Sequence, residues 1–539
     1  MSSQAGAAAT LRTLLGIGVR RFVLCPGSRS APLAYALREL EILGAISLHV
    51  ETDERSGGFV ALGLSKASGE PTVIVTTSGT AVANLHPALA EAYHSGIPLI
   101  AVTADRPARM RGSGANQTTD QVGLLGPGLV GEIDISAEDV ADRPHLLDSV
   151  LDAVRCGPIH INLSFEDPLT PDGPSFTTAP DASIFTVPAD EVEPEWLDDR
   201  PTVIVAGPGA PFDELLGRSG DPGVPILAEP ATPQRNLSRA IPAARVVTEH
   251  FSPEIERVII VGHPTLSRPM TRLMSRSDIE VLSVRTEPVP TDPGRVARVL
   301  DVMPRIAGQD EWLARWQRAG AAAHRAGRLA LGDGLDALTA GAAIADAGAE
   351  WFLGASNIIR DVDLLAGYPN ARFHSSRGLA GIDGSISTAR GMAHMIRGMK
   401  AAVGDLTFIH DLGGLVLTRG QDEPPLDIVV IDDSGGGIFA TLEHGEKRYE
   451  RYFDRVFRTA KKIDIVAAAD ALGWTGINVG SVNELKNALG QPAAGRVIRV
   501  ACERPVDEVR RRRKHVARAM AAAVRDAASG DSRLRPDSL

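Results

Sequence analysis

Gly404-Asp405-Leu406-Thr407-Phe408-Ile409 opens a stretch that closes, past the apolar run Leu426–Ile431, on Asp432-Asp433-Ser434-Gly435-Gly436-Gly437-Ile438-Phe439. A carboxylate is thus followed, 27 or 28 residues later, by an acidic pair that enters a triple-glycine loop. Thr407–His410 and Leu426–Ile431 read as strands, which places these acids in turns at strand ends. Such an arrangement suits a hard cation with few protein ligands, a diphosphate supplying the remaining oxygens. Glycines let the backbone come close to phosphate, and the loop amides can meet its oxygens. Taken alone, the spacing also fits two unrelated acidic turns.

Outward from this stretch, short β-branched runs alternate with alanine-rich helical segments, the pattern of parallel α/β layers. A first block offers strands at Phe22–Cys25, Ile46–Val50, Thr72–Thr77, Leu99–Thr103 and Ile159–Leu163, with helices such as Ala31–Leu40 and Ala81–His94. A linker-like stretch with seven prolines, Glu166–Pro201, follows. A second block offers Thr202–Ala206, Val224–Ala228, Arg257–Val261 and Glu280–Val284. The loose segment Glu287–Pro304 then precedes a helix around Glu311–Leu331. The third block offers Trp351–Ala355, Thr407–His410, Leu426–Ile431 and Val497–Ala501. Three α/β units in series are therefore expected, as the length of 539 residues allows.

The net charge of −11 argues against nucleic acid or an anionic membrane as the main partner. The basic run Arg510–Lys514 reads as a solvated helical face. No apolar run approaches the ~20 residues of a membrane span. Met1–Leu15 has no basic segment leading into a hydrophobic run, and Cys25, Cys156 and Cys502 lie far apart. The expectation is a soluble, cytoplasmic chain without a disulfide framework.

Two further motifs stand upstream. Thr52-Asp53-Glu54-Arg55 precedes Gly57-Gly58 and the helical run Phe59–Ser65, so an acid lies near a helix N-terminus, where the dipole favours its charged form. Thr76-Thr77-Ser78-Gly79-Thr80-Ala81 reads as a strand running into a small-residue turn and a helix, a place for a ring or phosphate, or a plain βα connection. Gly207-Pro208-Gly209 lacks the third glycine of a dinucleotide loop. His410-Asp411 has the look of a catalytic pair, but neighbours on a strand would point to opposite faces.

Taken together, these pieces resemble thiamine-diphosphate (ThDP) enzymes of the 2-oxo-acid decarboxylase and synthase type, and most closely the menaquinone-pathway synthases among them. The resemblance spans nearly the whole chain. It is carried by Cys25-Pro26-Gly27-Ser28-Arg29-Ser30-Ala31-Pro32-Leu33, Asp53-Glu54-Arg55, Thr77–Leu85, Ala104-Asp105-Arg106-Pro107 and Gly114-Ala115-Asn116-Gln117. Ser375–Gly384, Gly404–Phe408 and Gly435–Phe439 complete it.

The resemblance implies a pyrimidine-binding domain (1–180), a middle domain (195–305) and a diphosphate-binding domain (335–539). It assigns Glu54 to the aminopyrimidine nitrogen, where it would promote loss of the thiazolium proton. Ile382 matches the apolar wedge that bends the cofactor. Thr77, Ser78, Gly79, Leu406, Thr407, Gly435, Gly436, Ile438 and Phe439 complete the cofactor set. The implied reaction decarboxylates 2-oxoglutarate and adds the resulting succinyl carbanion equivalent to isochorismate. Arginine recognises planar carboxylates, and Arg29, Arg106, Arg360 and Arg377 fall at matching positions. Ser28, Gln117 and Ser356 are their polar neighbours, Arg268 is a further basic contact, and Ile438, Phe439 and Leu442 form an apolar wall. Another ThDP synthase or decarboxylase, or a ThDP-binding protein without turnover, are the alternatives.

The family also implies a divalent ion, Mg²⁺ or Mn²⁺, and a homo-oligomer, a dimer of dimers with its site at a subunit interface. Asp405 is one metal ligand. The family usually carries asparagine at the second position, where this chain has Asp432-Asp433. Counting 27 residues from Asp405 selects Asp432, whereas anchoring on the glycines and Ile438-Phe439 selects Asp433. The glycine turn favours Asp433, with the Gly435 carbonyl.

Overall fold

In the first sheet, successive strand residues turn to opposite helix layers. Val73, Val75, Ile100 and Val102 pack with Leu11, Leu14, Leu33 and Leu37, while Ile74, Leu99 and Ala101 pack with Phe59, Leu62, Leu85 and Leu89. A sheet covered on both faces needs apolar residues at every position, which explains the unbroken Val/Ile/Leu runs. The computed structural model describes residues 3–181, 183–185, 192–210, 223–367 and 371–529. The expected linker at 182 and 186–191, and the chain ends of the expected first and last domains, lie outside the described residues.

The chain divides into two units: Met1–Asp190 with Gly378–Arg397 and His410–Pro425, and Glu191–Arg377 with Gly398–Ile409 and Leu426–Leu539. The first holds a six-stranded parallel sheet in the order β2-β1-β3-β4-β6-β5. Its strands are β1 (Arg21–Leu24), β2 (Ser47–Val50), β3 (Thr72–Thr76), β4 (Leu99–Asp105), β5 (Gly131–Ser136) and β6 (Ile159–Ser164). The helices Glu54–Ser68 and Ser385–Ala393 pack backbone to backbone here: a Cβ added at Gly63 would collide with the Thr388 carbonyl oxygen, and one at Gly391 with that of Val60.

The second unit begins with β7 (Trp196–Leu197), which pairs with β13 (Arg305–Ile306). A five-stranded parallel sheet has the order β12-β11-β10-β8-β9, built from β8 (Thr202–Ala206), β9 (Ile226–Ala228), β10 (Arg257–Val261), β11 (Glu280–Val284) and β12 (Arg298–Leu300). A second six-stranded parallel sheet follows the order β15-β14-β16-β17-β19-β18. It comprises β14 (Glu350–Leu353), β15 (Arg372–His374), β16 (Lys400–Gly404), β17 (Asp427–Asp432), β18 (Thr475–Val479) and β19 (Arg496–Ala501). The helices Asp310–Leu329 and Val506–Ala528 pack through Trp316, Val516, Met520 and Val524 in one core with Val203 and Val258. Among the described residues no helix is long and apolar enough to cross a membrane.

Three expectations are corrected. Thr407–His410 is not a strand but part of the helix Asp405–His410, and the strand is β16, which runs directly into that helix. Lys400 hides that strand: its buried ammonium donates to the carbonyl oxygens of Leu489 and, at 2.8 Å, Gln491. The Ala81–His94 helix is two, Thr80–Ala83 and His86–His94, because Pro87 interrupts the helical hydrogen bonding. The run Arg510–Lys514 is only partly solvated. Arg510 donates to the carbonyls of Ala440 (3.0 Å) and Leu442 (2.6 Å), Arg513 forks onto Asp361 (2.5 and 2.9 Å), and Arg512 pairs with Asp336.

Candidate active site

In each six-stranded sheet the expected site residues collect just beyond the carboxyl ends of the strands, the edge where open parallel sheets bind ligands. In the first unit Ser28 and Arg29 follow β1, Glu54 follows β2, Thr77, Ser78 and Gly79 follow β3, and Arg106 follows β4. In the second, Arg377 follows β15, Ser356 and Arg360 follow β14, Asp405 follows β16 and Asp433 follows β17. Those four strands are consecutive neighbours.

Asp53 caps the Glu54–Ser68 helix, its Oδ1 accepting from the amides of Arg55 (2.9 Å) and Ser56 (3.4 Å). Glu54 is therefore the first helical residue, half-buried at the positive end of the helix dipole. Asn84 Nδ2 donates to Glu54 Oε2 at 3.4 Å; the break ahead of Pro87 puts Asn84 between helices, a role its sequence position alone does not signal. Beyond β3, Ser78 and Gln117 bond reciprocally: Ser78 Oγ donates to the Gln117 carbonyl and Gln117 Nε2 to the Ser78 carbonyl, both at 2.9 Å. Gly79 has φ +83° and donates to Gln121 Oε1 at 3.0 Å. Its positive φ suits glycine.

Arg29 is buried and donates to the Phe165 carbonyl at 2.9 Å. Burial, and then the positive charge of Arg106, lower its pKa. Arg106 itself holds the Asn116 carbonyl through Nε (3.2 Å) and Nη2 (2.9 Å). Ser28 is exposed nearby in sequence, and Ile382 lies three residues ahead of the helix Ser385–Ala393, also accessible.

In the second unit Asp405 is buried, with Oδ1 accepting from the Leu406 amide (2.8 Å) and Oδ2 from the Gly435 amide (2.7 Å). Burial raises its carboxyl pKa to about 6 despite those bonds. Asp433 is pushed up to about 7, first by burial and then by the charge of Asp405. The two tandem acids differ sharply. Asp432 is clamped by Arg499 Nε and Nη2, both at 2.6 Å, whereas among the described residues no cation lies within ion-pair distance of Asp433. The buried carboxyl of Asp405 and the partly buried one of Asp433, neither with an ion-pair partner among the described residues, form a donor set that fits a divalent cation. Among the described residues no three His, Cys, Asp or Glu side chains gather around one point, so a cation here would take its further ligands from backbone or cofactor oxygens. Gly435 has φ +119°, and a Cβ there would strike the Arg458 carbonyl. Thr407, two residues after Asp405, is buried.

Arg360 Nη1 donates to the carbonyls of Ala355 (3.1 Å) and Ser356 (2.7 Å). Arg377 reaches the Ala355 carbonyl at 3.5 Å, and its Nη2 bonds both the carbonyl and the hydroxyl of Thr265 at 3.1 and 2.9 Å. Burial, and then the charge of Arg377, lower Arg360 to about 10. The two guanidiniums share the Ala355 carbonyl and concentrate positive charge there, and the buried carboxyl of Glu229 already acts on both. Arg268 stands apart from this pair in its bonding, forked onto Glu443 at 2.5 and 3.1 Å on the surface. Ile438 and Phe439 lie on the short helix Gly437–Thr441, with the Phe439 ring 5.6 Å from that of Phe457 and 6.1 Å from His444. Leu442 follows that helix, held by Arg510 through its carbonyl. A cavity of about 260 Å³ beside this loop is lined by His444, Lys447, Phe453, Arg458 and Asp507 and includes none of the expected residues.

His410 and Asp411 do not bond each other, but the reason is not a strand. They end a helix, and both address Arg55, from the His410 carbonyl (3.2 Å) and ring Nδ1 (3.3 Å) and from Asp411 Oδ1 (3.6 Å).

Residues 4–124 match the model of the thiamine pyrophosphate enzyme N-terminal TPP binding domain, and residues 362–500 that of the C-terminal TPP binding domain. The chain is 42% identical to the 2-succinyl-5-enolpyruvyl-6-hydroxy-3-cyclohexene-1-carboxylate synthase of Renibacterium salmoninarum, over 94% of this chain and 95% of that one. It is 41% identical to the synthase of the same name from an Arthrobacter species, over 90% and 87% of the two chains. With that of Kineococcus radiotolerans the identity is 40%, over 97% and 99%.

Proposed function

Because the chain belongs to the 2-succinyl-5-enolpyruvyl-6-hydroxy-3-cyclohexene-1-carboxylate (SEPHCHC) synthase family of ThDP enzymes, we propose that it decarboxylates 2-oxoglutarate and joins the remaining four-carbon unit to isochorismate, giving SEPHCHC and CO2. It is a ThDP-dependent transferase of menaquinone biosynthesis. The observation that supports this reading best is the order of groups along β15, β14, β16 and β17. Arg377, Arg360, Asp405 and Asp433 follow four neighbouring strands in turn, the arginines after the first two and the carboxyls after the last two.

When bound, ThDP supplies the carbon that accepts and stabilises the electron pair released on loss of CO2. Asp405, Asp433 and the Gly435 carbonyl would hold Mg²⁺ or Mn²⁺ against its diphosphate. Gly435, Gly436, Leu406 and Thr407 would receive the phosphate oxygens. Thr77, Ser78, Gly79, Ile382, Ile438 and Phe439 would enclose the rings, and Glu54 would hold and pass the proton of the aminopyrimidine nitrogen. The activating acid needs a defined position more than a large charge field, and the first turn of a capped helix supplies it. Arg360 and Arg377 would bind substrate carboxylate, with Ser356 beside them. Arg29 and Arg106, with Ser28 and Gln117, would bind a second carboxylate, while Arg268 would first have to release Glu443. Residues 1–180, 195–305 and 335–539 would be the pyrimidine, middle and diphosphate domains of a cytoplasmic homo-oligomer, a dimer of dimers.

The test is direct. Purified protein with ThDP, Mg²⁺, 2-oxoglutarate and isochorismate should yield SEPHCHC by mass spectrometry together with one equivalent of CO2. CO2 release without the isochorismate adduct would reassign it to another ThDP decarboxylase, and neither product would overturn the activity.

A further inference from the structure

The carboxyl of Glu229 is buried in the second unit, just beyond β9, and belongs to none of the sets above. Its Oε1 accepts from the Leu266 amide at 2.6 Å. Leu266 is itself buried, in the turn Pro264-Thr265-Leu266-Ser267-Arg268 that follows β10. The residue before it, Thr265, accepts from Arg377 Nη2 through its carbonyl at 3.1 Å and its hydroxyl at 2.9 Å. At the far end of the turn Arg268 takes its own orientation from Glu443, so the group that depends on the turn's position is Arg377.

We infer that Glu229 is a positioning residue, holding the turn 264–268 so that Arg377 meets the substrate carboxylate in one fixed orientation. The inference rests on the carboxylate-binding role proposed for Arg377.

Both ends of this linkage are anchored. The Gly207 amide donates to the Val261 carbonyl and the His263 amide to the Pro208 carbonyl, each at 2.9 Å. A Cβ at Gly207 would lie 2.2 Å from the Pro264 nitrogen. Gly207-Pro208-Gly209, short of a dinucleotide loop's third glycine, is thus the seat of the turn. On the other side, the Glu229 amide donates to the Ala206 carbonyl at 2.9 Å, and buried Arg235 donates to the Ala228 carbonyl at 2.8 Å. Arg235 also donates to the carbonyls of Asp363 (3.2 Å) and Ala366 (3.0 Å), at the end of the helix Asn357–Leu365 that carries Arg360.

A buried acid suits this task. An apolar side chain at 229 would leave the Leu266 amide without its acceptor. A fully ionised carboxylate would neutralise guanidiniums that the substrate has to meet. Burial raises the Glu229 pKa to about 8, against the pull of the Leu266 amide and the Arg377 charge. At neutral pH the group therefore holds the turn and leaves most of the arginines' charge to the substrate.

The experiment is steady-state kinetics of the Mg²⁺–ThDP holoenzyme, with 2-oxoglutarate and isochorismate varied in turn. Arg377→Lys first identifies which KM depends on that guanidinium. Glu229→Met, similar in size and without an acceptor, should raise the same KM about tenfold. A KM that Arg377→Lys leaves alone, and ThDP affinity, should stay within a few-fold of wild type. Glu229→Gln keeps an oxygen for the Leu266 amide and should recover most of the loss. The double variant Glu229→Met/Arg377→Lys should be no worse than Arg377→Lys, because Glu229 acts only through Arg377. Four results each overturn the inference while Arg377 keeps its role: wild-type KM values in Glu229→Met, a rise confined to a substrate that Arg377→Lys does not affect, Glu229→Gln as impaired as Glu229→Met, or multiplicative losses in the double variant. Wild-type kinetics in Arg377→Lys removes that role and the inference with it. If Glu229→Met does not fold, Thr265→Val, which removes the hydroxyl of an exposed residue, decides. A rise of about threefold in the KM selected by Arg377→Lys supports the linkage, and an unchanged KM removes it.

Discussion

Gly63 and Thr388 meet with no side chain between them: the α-carbon of one helix rests on the carbonyl oxygen of the other, and Gly391 repeats the contact against Val60. Helices usually meet through side chains 8–10 Å apart between axes, whereas here the backbone itself is the surface. The helix that begins at Glu54 and the helix that follows Ile382 therefore have little freedom to slide.

Gly63→Ala and Gly391→Ala should each lower stability by about 1–3 kcal/mol, as overpacking does in a filled interior. Thermal melts of the purified variants check this. Melting at the wild-type temperature in both would mean that the helices separate easily.

Arg360→Lys and Arg377→Lys keep a charge and lose the planar fork. Each should reduce kcat/KM for 2-oxoglutarate or isochorismate by about tenfold or more while ThDP affinity holds. Steady-state kinetics with each substrate varied in turn, beside a ThDP titration, separates the two effects. Unchanged kinetics for both substrates in both variants would remove the arginine pair from substrate binding.

Asp433→Asn removes a charge from the proposed cation site and keeps an oxygen. Calorimetric titration should show weaker Mg²⁺ binding without cofactor, since carboxylate count tunes affinity, and ThDP binding at saturating Mg²⁺ that is equal or tighter. Asp432→Asn should leave both titrations unchanged and cost no more than about 1 kcal/mol of stability through its partly exposed pair with Arg499. The opposite pattern would make Asp432 the ligand.

His49 is buried, its ring 4.3 Å from that of His394, and burial followed by the charge of His394 pushes its pKa down to about 4. The unfolded chain then binds a proton that the fold excludes between pH 6.5 and 4. The neutral ring's contribution is present above about pH 6.5 and is lost as pH falls toward 4, at up to about 1.4 kcal/mol per pH unit. His49→Phe should flatten that part of the pH–stability curve. Denaturant melts from pH 7 to 4.5 test it, and an equal slope in the variant would assign the acid sensitivity elsewhere.

The parts of this molecule that are legible in sequence are those whose logic is local. Glycines at Gly79 and Gly435 mark turns because positive φ leaves few alternatives, and Asp53 ahead of Glu54 marks a helix start because its carboxylate reaches amides two and three residues on. What escapes is set by distant partners. Lys400 reads as polar punctuation until the Leu489 and Gln491 carbonyls are seen to receive it. Strand β5, with Glu132 and Asp134 in its middle, is tolerable only because His160 and Arg111 come to meet them. Asp411 looked like half of an unproductive pair with His410, since neither Ser387 nor Arg55 is near it in the chain.

The turn after β17 also constrains the order in which its residues can change over generations. At Gly435 and Gly436 the obstacles are carbonyls of Arg458 and Phe457, so no single replacement elsewhere clears them. At Gly437 the three nearest atoms all belong to the side chain of Asp433. A side chain at 437 thus becomes admissible once residue 433 has been shortened or turned away, and is blocked before. The two positions form a lineage with a direction, in which the acid must yield first, and variants made in the reverse order should be lost even where the final pair is viable.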